Sequence, residues 1–297
     1  MDRSRDLPSW PHADLSRFCR VGTNDWHVQE TGRGPILLCL HGSGASTHSW
    51  RDLLPLWARD WRVVAIDLPG QGFTRSTTLR RCGLDQMTED IARLCATEGW
   101  APAAIVGHSA GAAIALSLSS HLPGPPAVVG INAALGRFEG VASWAFPLLA
   151  RLLALNPLTS TIFTLGGPNP ARARRLIEGT GSRLDAEGLG YYARLIGDRQ
   201  HVEATLQMMT QWQIDPLIAR LPQIESPTLL IAAEGDLAVP PATSDISARR
   251  IPGAEVVRLA DLGHLAHEEA PDRVAELVTD FLRSVILQPD RTRSDCR

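Results

Sequence analysis

The five cysteines of this chain (Cys19, Cys39, Cys82, Cys95 and Cys296) are odd in number and contain no Cys-x-x-Cys pair. A disulfide framework or a zinc site is therefore not expected, and a reducing compartment fits best. No stretch of about 18 or more apolar residues exists, so no bilayer span is expected. The nearest approach is residues 141–155, which Pro147 and Arg151 interrupt. Residues 1–20 are polar and hold no apolar core of a secretory signal, so the expected location is cytoplasmic. Basic residues number 29 against 32 acidic ones, a net charge of −3, with both signs interspersed. Without a basic stripe, nucleic acid is not an expected partner. Internal repeats and low-complexity tracts are missing too. His12, His27, His121 and His201 show no ligand spacing, so neither a metal nor another cofactor is expected.

What the chain does have is enough apolar content, 44% of 297 residues, to build a sizeable core. Short runs at 36–40, 63–66, 104–106, 127–131, 228–232 and 255–259 read as strands, and most are nearly continuous apolar runs, as expected of strands covered on both faces. Helical patterns at 49–59, 85–98, 110–121, 243–250 and 272–285 lie between and after them. Such alternation implies a mostly parallel sheet with right-handed crossovers. Residues 18–21 and 26–29, parted by Gly22-Thr23-Asn24, read as an antiparallel hairpin at the sheet edge. Eight strands are thus expected, flanked by helices.

The rhythm stops between about 133 and 222. Helical stretches there are separated by Pro and Gly breaks at Asn156-Pro157, at residues 166–170 and at Gly188-Leu189-Gly190. This segment reads as a helical lid inserted after the sixth strand. Residues 1–132 and 223–297 would form the core domain around it.

The sharpest local signal is Gly107-His108-Ser109-Ala110-Gly111, between an apolar strand and an Ala-rich helix. A strand turning this abruptly into a helix leaves its central serine exposed on strained backbone, with the helix's free amides beside it. Ser109 is the expected nucleophile. An oxyanion needs donors, and His41-Gly42-Ser43-Gly44 follows the first parallel strand. The amides of Ser43 and Ala110 are the candidates. A base and an orienting acid must come from other strand ends. Asp236, ahead of Val239-Pro240, is preferred over Glu234, and His264, after Gly263, over His267. The chain order Ser109, Asp236, His264 is the one used by G-x-S-x-G hydrolases. Asp67, in Asp67-Leu68-Pro69-Gly70-Gln71-Gly72, is expected to brace its loop through backbone hydrogen bonds.

Together these segments resemble the α/β-hydrolase superfamily over nearly the whole chain, which implies the α/β-hydrolase fold. Several further segments are similar to one branch of it, the magnesium-chelatase accessory proteins of bacteriochlorophyll biosynthesis. They are residues 47–51, 108–114, 131–135 and 264–269, with Thr180-Gly181-Ser182 and Met208-Met209-Thr210 in the insertion. One departure is Gln71, where the superfamily loop often has histidine.

The resemblance implies a serine hydrolase acting on an ester or related acyl bond in that pathway. An apolar small molecule, a tetrapyrrole among the candidates, would be the substrate, and magnesium-chelatase subunits the partners. A general carboxylesterase or a carbon–carbon bond hydrolase is the alternative within the same chemistry. A non-catalytic protein that binds porphyrin or chelatase on a hydrolase fold is the alternative outside it. Epoxide hydrolase and haloalkane dehalogenase activities are disfavoured, because Ser109 stands where those enzymes need an aspartate. His48, Trp144 and Phe146 are candidates to line the substrate pocket. The apolar run 144–155 reads as a roof over Ser109, as a helix resting on the photosynthetic membrane, or as a packed lid helix.

Overall fold

Strand β3 (Ile36–Leu40) is buried along its whole length because helices cover the sheet on both sides. Its alternate side chains serve two cores. Leu38 and Leu40 join Val64, Ile66, Ile105 and Val128 on one face, against helices Leu84–Glu98 and Ala110–Ser119. Leu37 and Cys39 join Val63, Ala65, Val106 and Val129 on the other, with Trp50, Trp57 and helix Pro271–Leu282. Period-two alternation between two apolar layers explains why these strands read as unbroken apolar runs.

The computed structural model describes residues 1–136, 164 and 166–287. The remaining strands are β1 (Ser16–Val21), β2 (Asn24–Thr31), β4 (Arg62–Ile66), β5 (Arg75–Ser76), β6 (Pro102–His108), β7 (Ala127–Ile131), β8 (Thr228–Ala233) and β9 (Glu255–Leu259). Their order is β1-β2-β4-β3-β6-β7-β8-β9, and β5 pairs with β2. From β4 through β9 the pairing is parallel, while the β1–β2 hairpin joins antiparallel at the β4 edge. The chain runs from β3 outward to β4, then returns to lay β6 on the other side of β3. That reversal makes the carboxyl ends of β3 and β6 a topological switch point, the place where such sheets commonly carry their sites.

Three expectations need correction. The sheet has nine strands and not eight, so the insertion follows the seventh strand in chain order. The extra strand, β5, pairs through only two residues, Arg75 and Ser76, with Asp25 and Asn24. Two residues are too few to leave a periodic signal. The helix expected at 49–59 is instead a 3-10 turn, Thr47–Trp50, followed by a short helix, Leu54–Trp57. Pro55 lacks the amide a helix interior requires and so falls in the first turn of the second piece. Finally, Gly188-Leu189-Gly190 lies inside helix Ala186–Ile196, capped by the Asp185 carboxylate on the Gly188 amide. Burial of Leu189, Tyr192 and Ala193 outweighs the poor helix propensity of the two glycines.

Among the described residues between Ile131 and Thr228 there is no strand. Helices Pro170–Glu178, Ala186–Ile196, Arg199–Gln211 and Asp215–Arg220 occupy this stretch. They share a third apolar cluster with the N-terminal segment: Met1, Trp10, Phe73, Ile177, Leu189, Tyr192 and Leu195 pack together with Ala45 and Leu265. Residues 144–155, including Trp144 and Phe146, lie outside the described residues, as does Cys296. Cys19, Cys39, Cys82 and Cys95 are free thiols. No helix of the described residues is long and apolar enough to cross a membrane.

Leu38 lies at the centre of the sheet with no exposed surface. Leu38→Ala is expected to lower stability by about 2–5 kcal/mol through lost burial and a residual cavity. Urea unfolding checks this: the midpoint should fall while the slope stays unchanged.

Candidate active site

Ser109 sits between β6 and helix Ala110–Ser119 with φ 52° and ψ −116°, a conformation that costs a non-glycine residue free energy. Two glycines make the turn fit. A β-carbon on Gly107 would lie 2.3 Å from the Gly111 carbonyl oxygen, and one on Gly111 would lie 2.1 Å from the Leu40 carbonyl oxygen. The turn is pinned by neighbouring strand ends, since the Ser109 amide donates to Ile131 O (2.9 Å) and the Ala134 amide to Ser109 O (3.1 Å). Ser109 is half-buried, and its hydroxyl makes no hydrogen bond among the described residues.

The loop after β3 lies against this elbow. A β-carbon on Gly42 would fall 3.2 Å from the Ser109 β-carbon. His41 is locked in one tautomer, because the Leu68 amide donates to its Nε2 (2.9 Å), leaving Nδ1–H to donate to Gly42 O (2.7 Å). The amides of Ser43 and Ala110, the expected oxyanion donors, have no acceptor among the described residues.

Asp236 and His264 are brought together from the ends of β8 and β9. His264 Nδ1 and Asp236 Oδ2 are 2.7 Å apart, with the residues 8% and 5% exposed. The other Asp236 oxygen accepts from the amides of Ala238 (2.7 Å) and Val239 (2.8 Å). Three bonds to one carboxylate fix its orientation, so the imidazole donates from Nδ1 and presents a bare Nε2. Glu234, the rejected acid, is exposed. His267, the rejected base, is fully buried against the rings of Trp50 and His108.

Sequence reasoning missed the groups that hold His264. His108 donates from Nε2 to His264 O (2.8 Å), and its ring lies 4.7 Å from that of His264. This places the residue next to the nucleophile directly against the base. Asn132, with φ 46°, donates to the carbonyls of Gly263 (3.1 Å) and His264 (2.8 Å) while accepting from the Ala233 amide (2.7 Å). One side chain thereby ties together the ends of β7, β8 and β9. The insertion contributes as well: Thr180 O accepts from the Leu237 amide (3.1 Å), and Ser182 Oγ from the Leu265 amide (2.7 Å). Each bond falls one residue beyond the acid or the base. Asn132 and Thr180-Gly181-Ser182 stand out in the sequence only as part of the family resemblance.

The other candidates have separate surroundings. Asp67 accepts from the amides of Thr47 and Phe73, both at 2.7 Å, and pairs with His27 at 2.7 Å. Burial alone would raise its carboxyl, but His27, His41 and the Phe73 amide hold it well below the usual carboxylate range. His48 is fully buried and touches the rings of Trp10, Tyr191 and Tyr192, with Nδ1 bonded to Ser46 Oγ (2.7 Å). Beside it, Glu268 takes bonds from Arg51 (2.5 Å) and Tyr192 (2.7 Å), and burial pushes its carboxyl up to about 7.

A family model for the alpha/beta hydrolase fold matches residues 35–271, and the chain belongs to that family. Among its relatives it is 47% identical over 281 residues to the magnesium-chelatase 30 kDa subunit of Rhodobacter capsulatus, covering 94% of this chain and 98% of that one. It is 27% identical over 254 residues to the pimeloyl-[acyl-carrier protein] methyl ester esterase of Nitrosomonas europaea, covering 83% and 95%. A solved alpha/beta hydrolase fold protein from Burkholderia ambifaria superposes with a TM-score of 0.75 at 22% identity, over 90% of this chain and 98% of that one. That likeness concerns the fold alone.

Burial pushes five imidazoles down: His41, His48 and His108 below their usual range, His201 to about 4 and His267 to about 3. The unfolded chain takes up protons at these sites below about pH 6.5, while the folded chain resists them. The imidazoles' contribution to stability is complete above that pH and is lost as pH falls through the window from 6.5 to about 3. Glu268, raised to about 7, binds its proton first in the fold and offsets part of the loss down to about pH 4.5. Each imidazole steepens the loss by up to about 1.4 kcal/mol per pH unit. Calorimetry across pH 7.5 to 4.5 should show a falling Tm, and a flat profile would contradict the assignment.

Proposed function

We propose that the chain is a serine hydrolase acting on an ester or related acyl bond in bacteriochlorophyll synthesis, beside magnesium chelatase in the cytoplasm. The observation that carries this reading is the 2.7 Å bond between Asp236 and His264 at the strand edge where Ser109 stands on strained backbone. In this scheme His264 Nε2 takes the Ser109 proton as the hydroxyl attacks the acyl carbon, and Asp236 stabilises the imidazolium. The amides of Ser43 and Ala110 receive the oxyanion. His264 then protonates the leaving alcohol, and water releases the acid from Ser109 by the same steps. The esterase from Nitrosomonas europaea favours an ester bond, and the Rhodobacter capsulatus chelatase subunit favours the pathway. A methyl or acyl ester of an apolar molecule such as a tetrapyrrole suits both.

A fluorophosphonate probe is expected to label Ser109, with labelling abolished in Ser109→Ala. His264→Ala should lower ester turnover roughly a thousandfold or more, and Asp236→Asn should lower it strongly too.

The second reading, a porphyrin- or chelatase-binding protein that does no chemistry, is favoured by the relative's name as a chelatase subunit. Complementation separates the two. In a strain lacking the protein, Ser109→Ala should fail to restore pigment, and full restoration would replace the hydrolase with the binding protein.

A further inference from the structure

We infer that His201, on helix Arg199–Gln211 of the insertion, is a positioning residue for the oxyanion loop, so that this helix sets the placement of the Ser43 amide. The inference rests on the hydrolase reading and assigns a further residue to the same site.

Gly44 follows Ser43 at φ +78°, and both of its backbone polar groups are held by side chains. Its amide donates to Gln71 Oε1 (2.9 Å), and its carbonyl accepts from His201 Nε2 (3.1 Å). The tautomer follows from the partners. The Gly72 amide can only donate, and it meets His201 Nδ1 at 3.0 Å. Nε2 therefore carries the hydrogen that Gly44 O accepts. One neutral imidazole thus bridges the loop after β3 to the loop after β4. Burial, which pushes this group down to about 4, keeps Nδ1 free to accept at neutral pH. His201 is itself placed by the Asp198 carboxylate, which caps the helix by accepting from the His201 amide (2.9 Å).

The rest of the helix face supports the same loops. Gln71 uses its remaining amide group on Met208 Sδ (3.3 Å), seven residues along from His201. Between them, Ala204 lies so close that a β-carbon on Gly70 would fall 2.6 Å from its own. Positions 201, 204 and 208 share one side of a helix and rest on Gly70-Gln71-Gly72. The Ser43 amide lies in the Gly42–Ser43 peptide unit; Gln71 holds the next unit through the Gly44 amide, and His201 holds the one after it through the Gly44 carbonyl. A displacement of a few tenths of an ångström there changes an oxyanion bond without touching substrate.

Three variants test the inference with a short p-nitrophenyl ester and a trifluoromethyl ketone that forms a tetrahedral adduct with the serine. His201→Leu keeps bulk and loses both bonds. His201→Asn is polar but too short to bridge the two loops, and it serves if the leucine variant does not fold. His201→Gln retains one donor and one acceptor at full reach. Leu and Asn are expected to lower kcat about 10- to 100-fold with KM within about twofold, and to weaken the ketone in proportion. Gln is expected to recover most of both. Unchanged kcat and ketone affinity in folded Leu or Asn variants would overturn the inference. So would loss shared equally by kcat and KM, with no recovery in Gln. In either case labelling of Ser109 in the unsubstituted protein leaves the hydrolase reading standing, whereas no labelling there removes both.

Discussion

Parallel pairing of β3, β6, β8 and β9 with β7 between them is the constraint from which the site follows. Strands running one way end on one edge, so the loops that follow them converge although up to 222 residues separate them in the chain, from Gly42 to His264. The placement of β6 beside β3 then sets the loop after β3 against the Ser109 elbow. Among the described residues, Ser109, Asp236 and His264 all stand at that edge. The same pairing buries both faces of the sheet, which is why strain at Ser109 can be sustained: Ile131 O and the Ala134 amide hold the turn from the neighbouring strand.

Polar side chains under that edge act on backbone more than on each other. Asn132 and His108 meet at the His264 carbonyl, Asp67 gathers the Thr47 and Phe73 amides, and His41 and His201 each bridge two loops. Each binds a group that has no ladder partner, so burial is compensated by hydrogen bonds. Neutral imidazole suits this work because it offers one donor and one acceptor. Burial enforces that neutrality. His41, His108 and His201 thus brace loops at this edge, whereas His264, like His27, pairs with a carboxylate.

The helical stretch between β7 and β8 is joined to the loops at the sheet's edge through specific bonds as well as apolar packing. Thr180 and Ser182 reach the residues following Asp236 and His264, and helix Arg199–Gln211 rests on the loops after β3 and β4. Gln71, which departs from the histidine common at that place in the superfamily, bonds Met208 on one side and Gly44 on the other.

Strand positions were legible where sheet burial on two faces leaves continuous apolar runs, as at 36–40 and 127–131; 255–259 also matches β9, but at the sheet edge, with Glu255 and Arg258 exposed. The elbow was legible because its glycines must lie close to Ser109 in sequence for the turn to close. Chain order and loop chemistry singled out Asp236 and His264, and the structure pairs their side chains. Local bonding patterns thus determined the fold class and the candidate residues. Tertiary structure alone decided that Gly188 and Gly190 sit within a helix, that β5 exists, that His48 is enclosed by aromatic rings, and that Asn132, His108 and His201 brace the site. Those outcomes depend on which side chains meet across the sheet and the insertion. A contact between residues a hundred positions apart leaves no periodic trace in either stretch of chain.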